Sequence, residues 1–333
     1  MANQVSGKRK PKEKIKQSTS QKKGIQSSVA SVYFSSEEVT LCDKKSSISK
    51  MRVTEDMTYG IKKDKEYSFI QDINVKSDTD VKDCFITGMT LVLDNQLVLC
   101  DANNLCLKLF DINKNIIKDV LPLQSIPFGI TTVSNDQIAV VLQSFYQIQL
   151  VNVRAKLTQD RSIKTNGYCL DVKMINDQLY VSYKEPVKFQ IIQLTGEIVR
   201  TIKPDDELRK HCKLPRHIAV SHDESVIYVS DWYTNKVMSL DMNGNMLSLF
   251  QGKLQVPQGI FISPSESVYV CNKEQHTVYE IMSDLRKTMV ILGPGDGLYF
   301  PKAMCFNKIN QHLYISSRSP VAKYRNILKV YRY

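Results

Sequence analysis

From residue 84 onward, short runs of alternating apolar and polar residues recur, each five to seven positions long, and no 3.6-residue periodicity competes with them. Such period-2 runs predict half-buried β-strands. One strand type returns six times: QLVLC (96–100), QIAVV (137–141), QLYVS (178–182), VIYVS (226–230), VYVCN (268–272) and HLYIS (312–316). Its central positions, Val98, Ala139, Tyr180, Tyr228, Tyr269 and Tyr314, are separated by 41, 41, 48, 41 and 45 residues. A second strand precedes each: ITGMTLV, GITTV, LDVKM, HIAVS, GIFIS and AMCFN. A third follows: LCLKLFD, IQLVNV, FQIIQL, KVMSLD, TVYEI and ILKVY. Turns such as LTGE and DMNGN carry Gly where a tight turn needs a positive φ.

Four short strands in a unit of about 40–45 residues predict one blade of a β-propeller. Six units are visible, and the last reaches the chain end after three strands. YSFIQDINV (67–75) is the strand-like piece left over, so it is expected to pair with ILKVYRY and close the ring. The fold class is therefore all-β, a six-bladed propeller closed by an N-terminal strand. The longer third step is assigned to a helical turn within DDELRKHC (205–212). The recurring tyrosines (180, 228, 269, 314) are expected to pack between blades, and Cys100, Cys271 and Cys305 to act as small hydrophobes.

Charge changes the picture only at the front. The chain carries a net +11, but residues 1–76 hold 16 Lys/Arg against 9 Asp/Glu, which leaves +4 for the remainder. Residues 1–30, almost devoid of apolar side chains, are expected to be a disordered basic tail. Residues 31–66 are expected to be a linker and 67–333 the propeller. The basic run Lys8–Lys16 is a candidate nuclear-import signal as well as a solvated tail. The N-terminus has no apolar stretch behind its charges and is not read as a secretory signal. The eight scattered cysteines are read as free thiols and the compartment as cytoplasmic. No apolar run is long enough to cross a membrane as a helix.

CFITGMTLVLDNQLVLCDANNLCLKLFD and VIYVSDWYTNKVMSLDMNGN resemble the NHL-type propellers at the C-terminus of tripartite-motif proteins, especially the expanded molluscan set. The resemblance covers roughly residues 67–333, and SDW-x-T-x-x-V is its most specific piece. In that family the propeller follows a RING finger, B-boxes and a coiled coil, the RING is a ubiquitin ligase, and the propeller recognises substrate proteins or, in some members, RNA. The closely spaced Cys/His pairs that zinc demands are missing from this sequence, and so is a heptad run. The resemblance thus implies recognition rather than ligase chemistry, by a monomeric ring, and the chain is expected not to be an enzyme.

By the same resemblance, the binding face is built from loops between blades and between second and third strands. It is expected to include Tyr146, Tyr183, Lys184, Arg216, Tyr233, Lys236, Lys273, Lys302, Arg318, Tyr324 and Arg325. Cations among aromatics suit single-stranded RNA, but a mere +4 over the ring favours a protein partner, with RNA the alternative. No cofactor is expected. His211, Cys212, His217 and His222 match no zinc spacing. A calcium-dependent hydrolase needs several carboxylates in the channel, and among the inner strands Asp171 is the one present. GPGDG (293–297) lacks the Lys-Ser/Thr of a phosphate loop and is read as a connection to Pro301.

Overall fold

The computed structural model describes residues 67–93, 95–319, 321–322 and 325–332. The expectations for residues 1–66 and for Tyr324 lie outside the described residues.

Six four-stranded antiparallel sheets form the blades of a ring. Blade 1 comprises β2 (Ile86–Val92), β3 (Gln96–Asp101), β4 (Cys106–Asp111) and β5 (Ile116–Pro122). Blade 2 comprises β6 (Pro127–Ser134), β7 (Gln137–Leu142), β8 (Gln147–Val153) and β9 (Leu157–Lys164). Blade 3 comprises β10 (Cys169–Ile175), β11 (Gln178–Tyr183), β12 (Lys188–Gln193) and β13 (Ile198–Ile202). Blade 4 comprises β14 (Pro215–Val220), β15 (Val226–Asp231), β16 (Lys236–Asp241) and β17 (Met246–Leu249). Blade 5 comprises β18 (Pro257–Ile262), β19 (Val268–Asn272), β20 (Thr277–Ile281) and β21 (Thr288–Leu292). Blade 6 joins β22 (Met304–Asn307), β23 (His312–Ser317) and β24 (Ile327–Arg332) to β1 (Ser68–Asn74) from the front of the ring. Ser68 faces Arg332 and Asn74 faces Ile327 across that closing pair. The expected ring closure is therefore observed.

The first strands of successive blades touch one another around the axis. Behind them the hydrophobic core is divided into six clusters, one in each gap between blades. Tyr180 packs with Ile218 and Val229 between blades 3 and 4. Tyr228, Tyr269 and Tyr314 occupy the next three gaps in the same way. In the first two gaps Val98 and Ala139 stand in their place. A side chain repeated at one register position thus does one job, filling the wedge between twisted sheets. Cys100 and Cys271 are fully buried there, and burial pushes both thiols up. The helical turn expected near 205–212 is α1 (Asp206–His211), its first turn capped by the Asp205 carboxylate accepting from the Leu208 amide at 2.7 Å.

Polar stitches cross the gaps near the axis. The Thr87 hydroxyl donates to the Pro127 carbonyl at 2.8 Å, Ser230 to the Gln258 carbonyl at 2.7 Å, and the Gly259 amide to the Lys302 carbonyl at 2.8 Å. This close approach explains two glycines. A Cβ on Gly259 would lie 2.7 Å from the Lys302 carbonyl oxygen, and one on Gly129 would lie 2.6 Å from the Asp171 Cα. Gly129→Ala is expected to cost about 1–3 kcal/mol, as forced overpacking does; urea unfolding measures it, and an unchanged midpoint would mean that the inner strands separate at no cost.

At the ring closure lies a buried ionic knot. Lys108 on β4 is fully buried. Its Nζ donates to Asp80 Oδ2 at 2.5 Å, Asp101 Oδ2 at 2.8 Å and the Val75 carbonyl at 2.9 Å, and sits 3.1 Å from Cys84 Sγ. Asp80, Cys84 and Asp101 are spaced closely enough to hold a metal ion, but the ammonium already fills the space between them. Burial would lift the Asp80 carboxyl; the Lys108 hydrogen bond, the Ser77 amide and the Lys108 charge together hold it below its ordinary value instead.

Candidate functional site: the channel and its mouth

The antiparallel pairing places one residue of each inner strand at the same height on the axis. Gly88 faces Cys100, Asp171 faces Ser182 and His217 faces Ser230 across the first strand pair of blades 1, 3 and 4. Gly129, Gly259 and Ala303 take the equivalent place in blades 2, 5 and 6. Four small residues and one Asp–His pair therefore line this level. The cavity they border, with Thr87, Lys173 and Met304 among its other walls, has a volume of about 30 Å³. That is room for about one or two water molecules.

Asp171 is held from several sides. Its carboxylate accepts from the Val172 amide at 2.9 Å and, across the blade gap, from the Ile218 amide at 3.0 Å. Lys173 Nζ and His217 Nδ1 each lie 3.6 Å from Oδ2. Burial alone would raise this carboxyl, yet the Lys173 charge, the His217 contact and the Ile218 amide keep it low. Burial lowers His217 despite Asp171 beside it, so the ring is neutral at pH 7. His217 Nε2 is buried and has no hydrogen-bond partner among the described residues.

Directly before this level in each inner strand comes the residue that shapes the mouth: Thr87, Phe128, Leu170, Arg216, Gln258 and Lys302. Phe128, from blade 2, is fully buried and stacks on His217 of blade 4 with centroids 5.3 Å apart. The Arg216 guanidinium lies 4.8 Å from its ring centroid and the Lys302 ammonium 5.7 Å. Phe128 thus reaches inward to groups from blades 4 and 6 and occupies the channel. Arg216 also stacks on Trp232 at 5.5 Å. Lys302 sits 3.8 Å over Phe85, and Arg318 shares that ring at 5.8 Å. Cations held over aromatic faces in a desolvated setting are attracted by the ring quadrupoles.

The structure sorts ten of the eleven residues expected on the binding face. Arg216, Lys302 and Arg318 converge at the mouth; the first two are not solvated loop cations but side chains only 6% and 4% exposed. Tyr146 meets Tyr168 edge-on at 6.0 Å, and Lys184 lies 5.7 Å over the same ring. The Arg216 charge reaches Tyr168, opposing the rise that burial causes in its phenol. Tyr233, 69% exposed, and Lys236 flank the loop after β15. Lys273 pairs with Glu274 at 3.2 Å on the blade 5 rim.

Two expectations need correction. Tyr183 is not presented at the face: it closes β11 with its ring in the core between blades 2 and 3, beside Cys169 and Ile163. Arg325 bonds Asp83 at 3.3 Å, and the adjoining Asn326 accepts from the Cys84 amide at 2.7 Å, so this corner anchors the loop before β24. The SDW motif also has a structural purpose. Asp231 is fully buried and accepts from the amides of Lys213 (2.7 Å), Leu214 (2.5 Å), Tyr233 (3.1 Å) and Thr234 (2.8 Å), tying the blade 4 loops together. Sequence reasoning missed Phe128 and the contact that joins Asp171 to His217.

No family model matches the chain, and no curated protein matches it. Solved structures do. A protein of unknown function from Bacteroides thetaiotaomicron superposes with a TM-score of 0.62 at 11% identity, over 80% of this chain and 73% of that one. Kuenenia stuttgartiensis hydrazine synthase gives 0.55 at 15% identity over 75% and 78%. Virginiamycin B lyase from Staphylococcus aureus gives 0.54 at 12% identity over 80% and 89%.

The chain is a six-bladed β-propeller. At these identities the likeness speaks for the fold alone. It nevertheless overturns one expectation, that this chain performs no chemistry. A lyase and a synthase are built on the same ring, so lacking RING ligands and a carboxylate-rich channel is no ground for setting catalysis aside.

Proposed function

We propose that the propeller recognises a partner protein through the loop end of the ring, in the manner that its resemblance to tripartite-motif propellers implies. The observation that supports this reading is the convergence of Arg216, Lys302 and Arg318, from blades 4 and 6, on the aromatic rings at the channel mouth. Exposed Tyr233 and Tyr146 stand around it. Aromatic rings and arginine are what protein interfaces concentrate at their centres. RNA is served less well. Each of Phe85, Phe128 and Trp232 already has one of the chain's own cations over its face, whereas single-strand binding needs open rings for bases to stack on.

Selection of a displayed random-peptide library on the immobilised full chain tests the proposal. Peptides are expected to be enriched whose binding weakens about tenfold in Tyr233→Ala, a change of about 1.4 kcal/mol. Enrichment of nothing, together with tight binding of a uridine-rich 12-mer RNA that falls steeply with salt, would replace this reading with the RNA one.

A further inference from the structure

One position of the repeat is filled differently in blade 4. The third strand of each blade sets one residue opposite the recurring central position of the second: Leu109, Leu150, Ile191, Ser239, Glu280 and Val330. Leu109, Leu150, Ile191 and Val330 pack into the clusters between blades. Ser239 stands at that place with a small hydroxyl side chain, the residue only 3% exposed. Its row runs across blade 4 from Tyr228 through Ser239 to Ser248. The two outer members bridge to the β20–β21 turn of blade 5: the Tyr228 hydroxyl donates to the Ser283 carbonyl at 3.1 Å and the Ser248 hydroxyl to the Asp284 carbonyl at 2.9 Å. Ser239, between them, makes no such bridge and borders a cleft of about 250 Å³, whose other walls include Val226, Leu247 and Arg286. Plain packing would put a branched aliphatic chain here, as four other blades do. Blade 4 gives up that packing and sets a hydroxyl on the floor of a cleft instead.

We infer that this cleft between blades 4 and 5 binds a sugar. Its volume lies below the roughly 300–1,000 Å³ of sites for drug-sized ligands and suits one sugar ring. Ser239 and Ser283 offer hydroxyls, which both donate and accept, as the hydroxyls of a sugar do. Asp284 and Arg286 share the turn at the rim, where Asp284 Oδ1 accepts from the Arg286 amide at 2.9 Å. A carboxylate that accepts and a guanidinium that donates are the complements that neighbouring sugar hydroxyls need. Val226 and the exposed Leu247 supply an apolar edge for the C–H face of the ring. Charge argues against an anion. Asp284 offsets Arg286, and the carboxylates of Glu266, Asp223 and Asp284 all reach the Tyr228 phenol, adding to the rise that burial causes there. The chemistry is the same whether the ring is free or in a glycosidic linkage. The cleft is also separate from the mouth: β15 begins beside it at Val226 and ends among the mouth loops at Asp231.

The test uses the full chain, with glucose, galactose, mannose and N-acetylglucosamine as probes in saturation-transfer NMR and calorimetry. Inorganic phosphate and ethanolamine serve as the anionic and cationic controls. At least one sugar is expected to bind with a dissociation constant in the millimolar range. Ser239→Leu gives blade 4 the side chain that blades 1 and 2 carry at this register, and it should abolish sugar binding while the thermal unfolding midpoint stays level or rises. Arg286→Gln, on the exposed turn, should weaken binding about tenfold, and Tyr233→Ala at the mouth should leave it unchanged. Equal binding of the methyl glycoside points to a glycan as the source; binding of the free sugar alone points to a small metabolite. No binding of any sugar, tighter binding of phosphate or ethanolamine than of every sugar, or sugar binding that survives Ser239→Leu in a folded ring overturns the site. Should Ser239→Leu lower the unfolding midpoint, Arg286→Gln decides: weakened sugar binding supports the site and unchanged binding overturns it.

Discussion

Lys108→Met is expected to destabilise the propeller by about 3–5 kcal/mol, the cost typical of breaking a buried ion pair by removing one partner. The methionine fills the volume but leaves Asp80 and Asp101 facing each other without their cation, and the Val75 carbonyl without its donor. The pH profile distinguishes this cause from a packing defect. In the wild type the Asp80 pKa is depressed below its ordinary 3.8. Its contribution to stability is therefore complete above that value and is lost as the pH falls through the folded pKa. In the variant the two carboxyls have no cation and gain by taking up protons. The gap between the two proteins should be widest near neutrality and shrink as the pH falls through the carboxylate range. Urea unfolding from pH 7 down through the Asp80 value, below pH 3.8, measures it; a gap that stays constant would refute the electrostatic account.

Excising residues 67–75 is expected to have a larger effect still, the loss of a cooperatively folded ring. The excision removes all of β1, the hydrogen bonds of its pairing with β24, Ile73 and Val75 from the cluster between blades 6 and 1, and the carbonyl that anchors Lys108. It also leaves β24 as an open edge able to pair with other chains. Circular dichroism and size-exclusion chromatography should show aggregation or loss of a single thermal transition. A monomer that melts as sharply as the intact chain would mean that blade 6 holds with three strands.

The blades were legible because each strand announces itself twice, by alternation and by recurrence at a fixed spacing. The same logic found β1, the leftover strand, and assigned Tyr180, Tyr228, Tyr269 and Tyr314 to the gaps. It went astray where a side chain's role depends on a neighbouring blade. Lys108 sits in CLKLFD like any strand lysine, and nothing local reveals the two aspartates that bury it. As a metal ligand His217 is set beside His211, Cys212 and His222, close in sequence; its partner in the ring is Asp171, on the preceding blade. That contact was within reach, because both residues occupy the same register position in their repeats. Tyr183 was drawn toward the face by its loop, although alternation along β11 already turned its ring inward. Arg216 and Lys302 were named, but their burial depends on Phe128 reaching in from another blade.

The pairing of Ser68 with Arg332 also sets a timetable. The last strand of the ring leaves the ribosome some 260 residues after the first, about 13–50 s later at ordinary rates of synthesis. Throughout that interval β1 has no strand to pair with, while blades 1 to 5 can already stack. The nascent chain is thus an arc with two open ends, and its final step is a contact between segments almost as far apart as the fold permits. Slow closure of this kind makes the emerging protein a natural client for factors that shield strand edges.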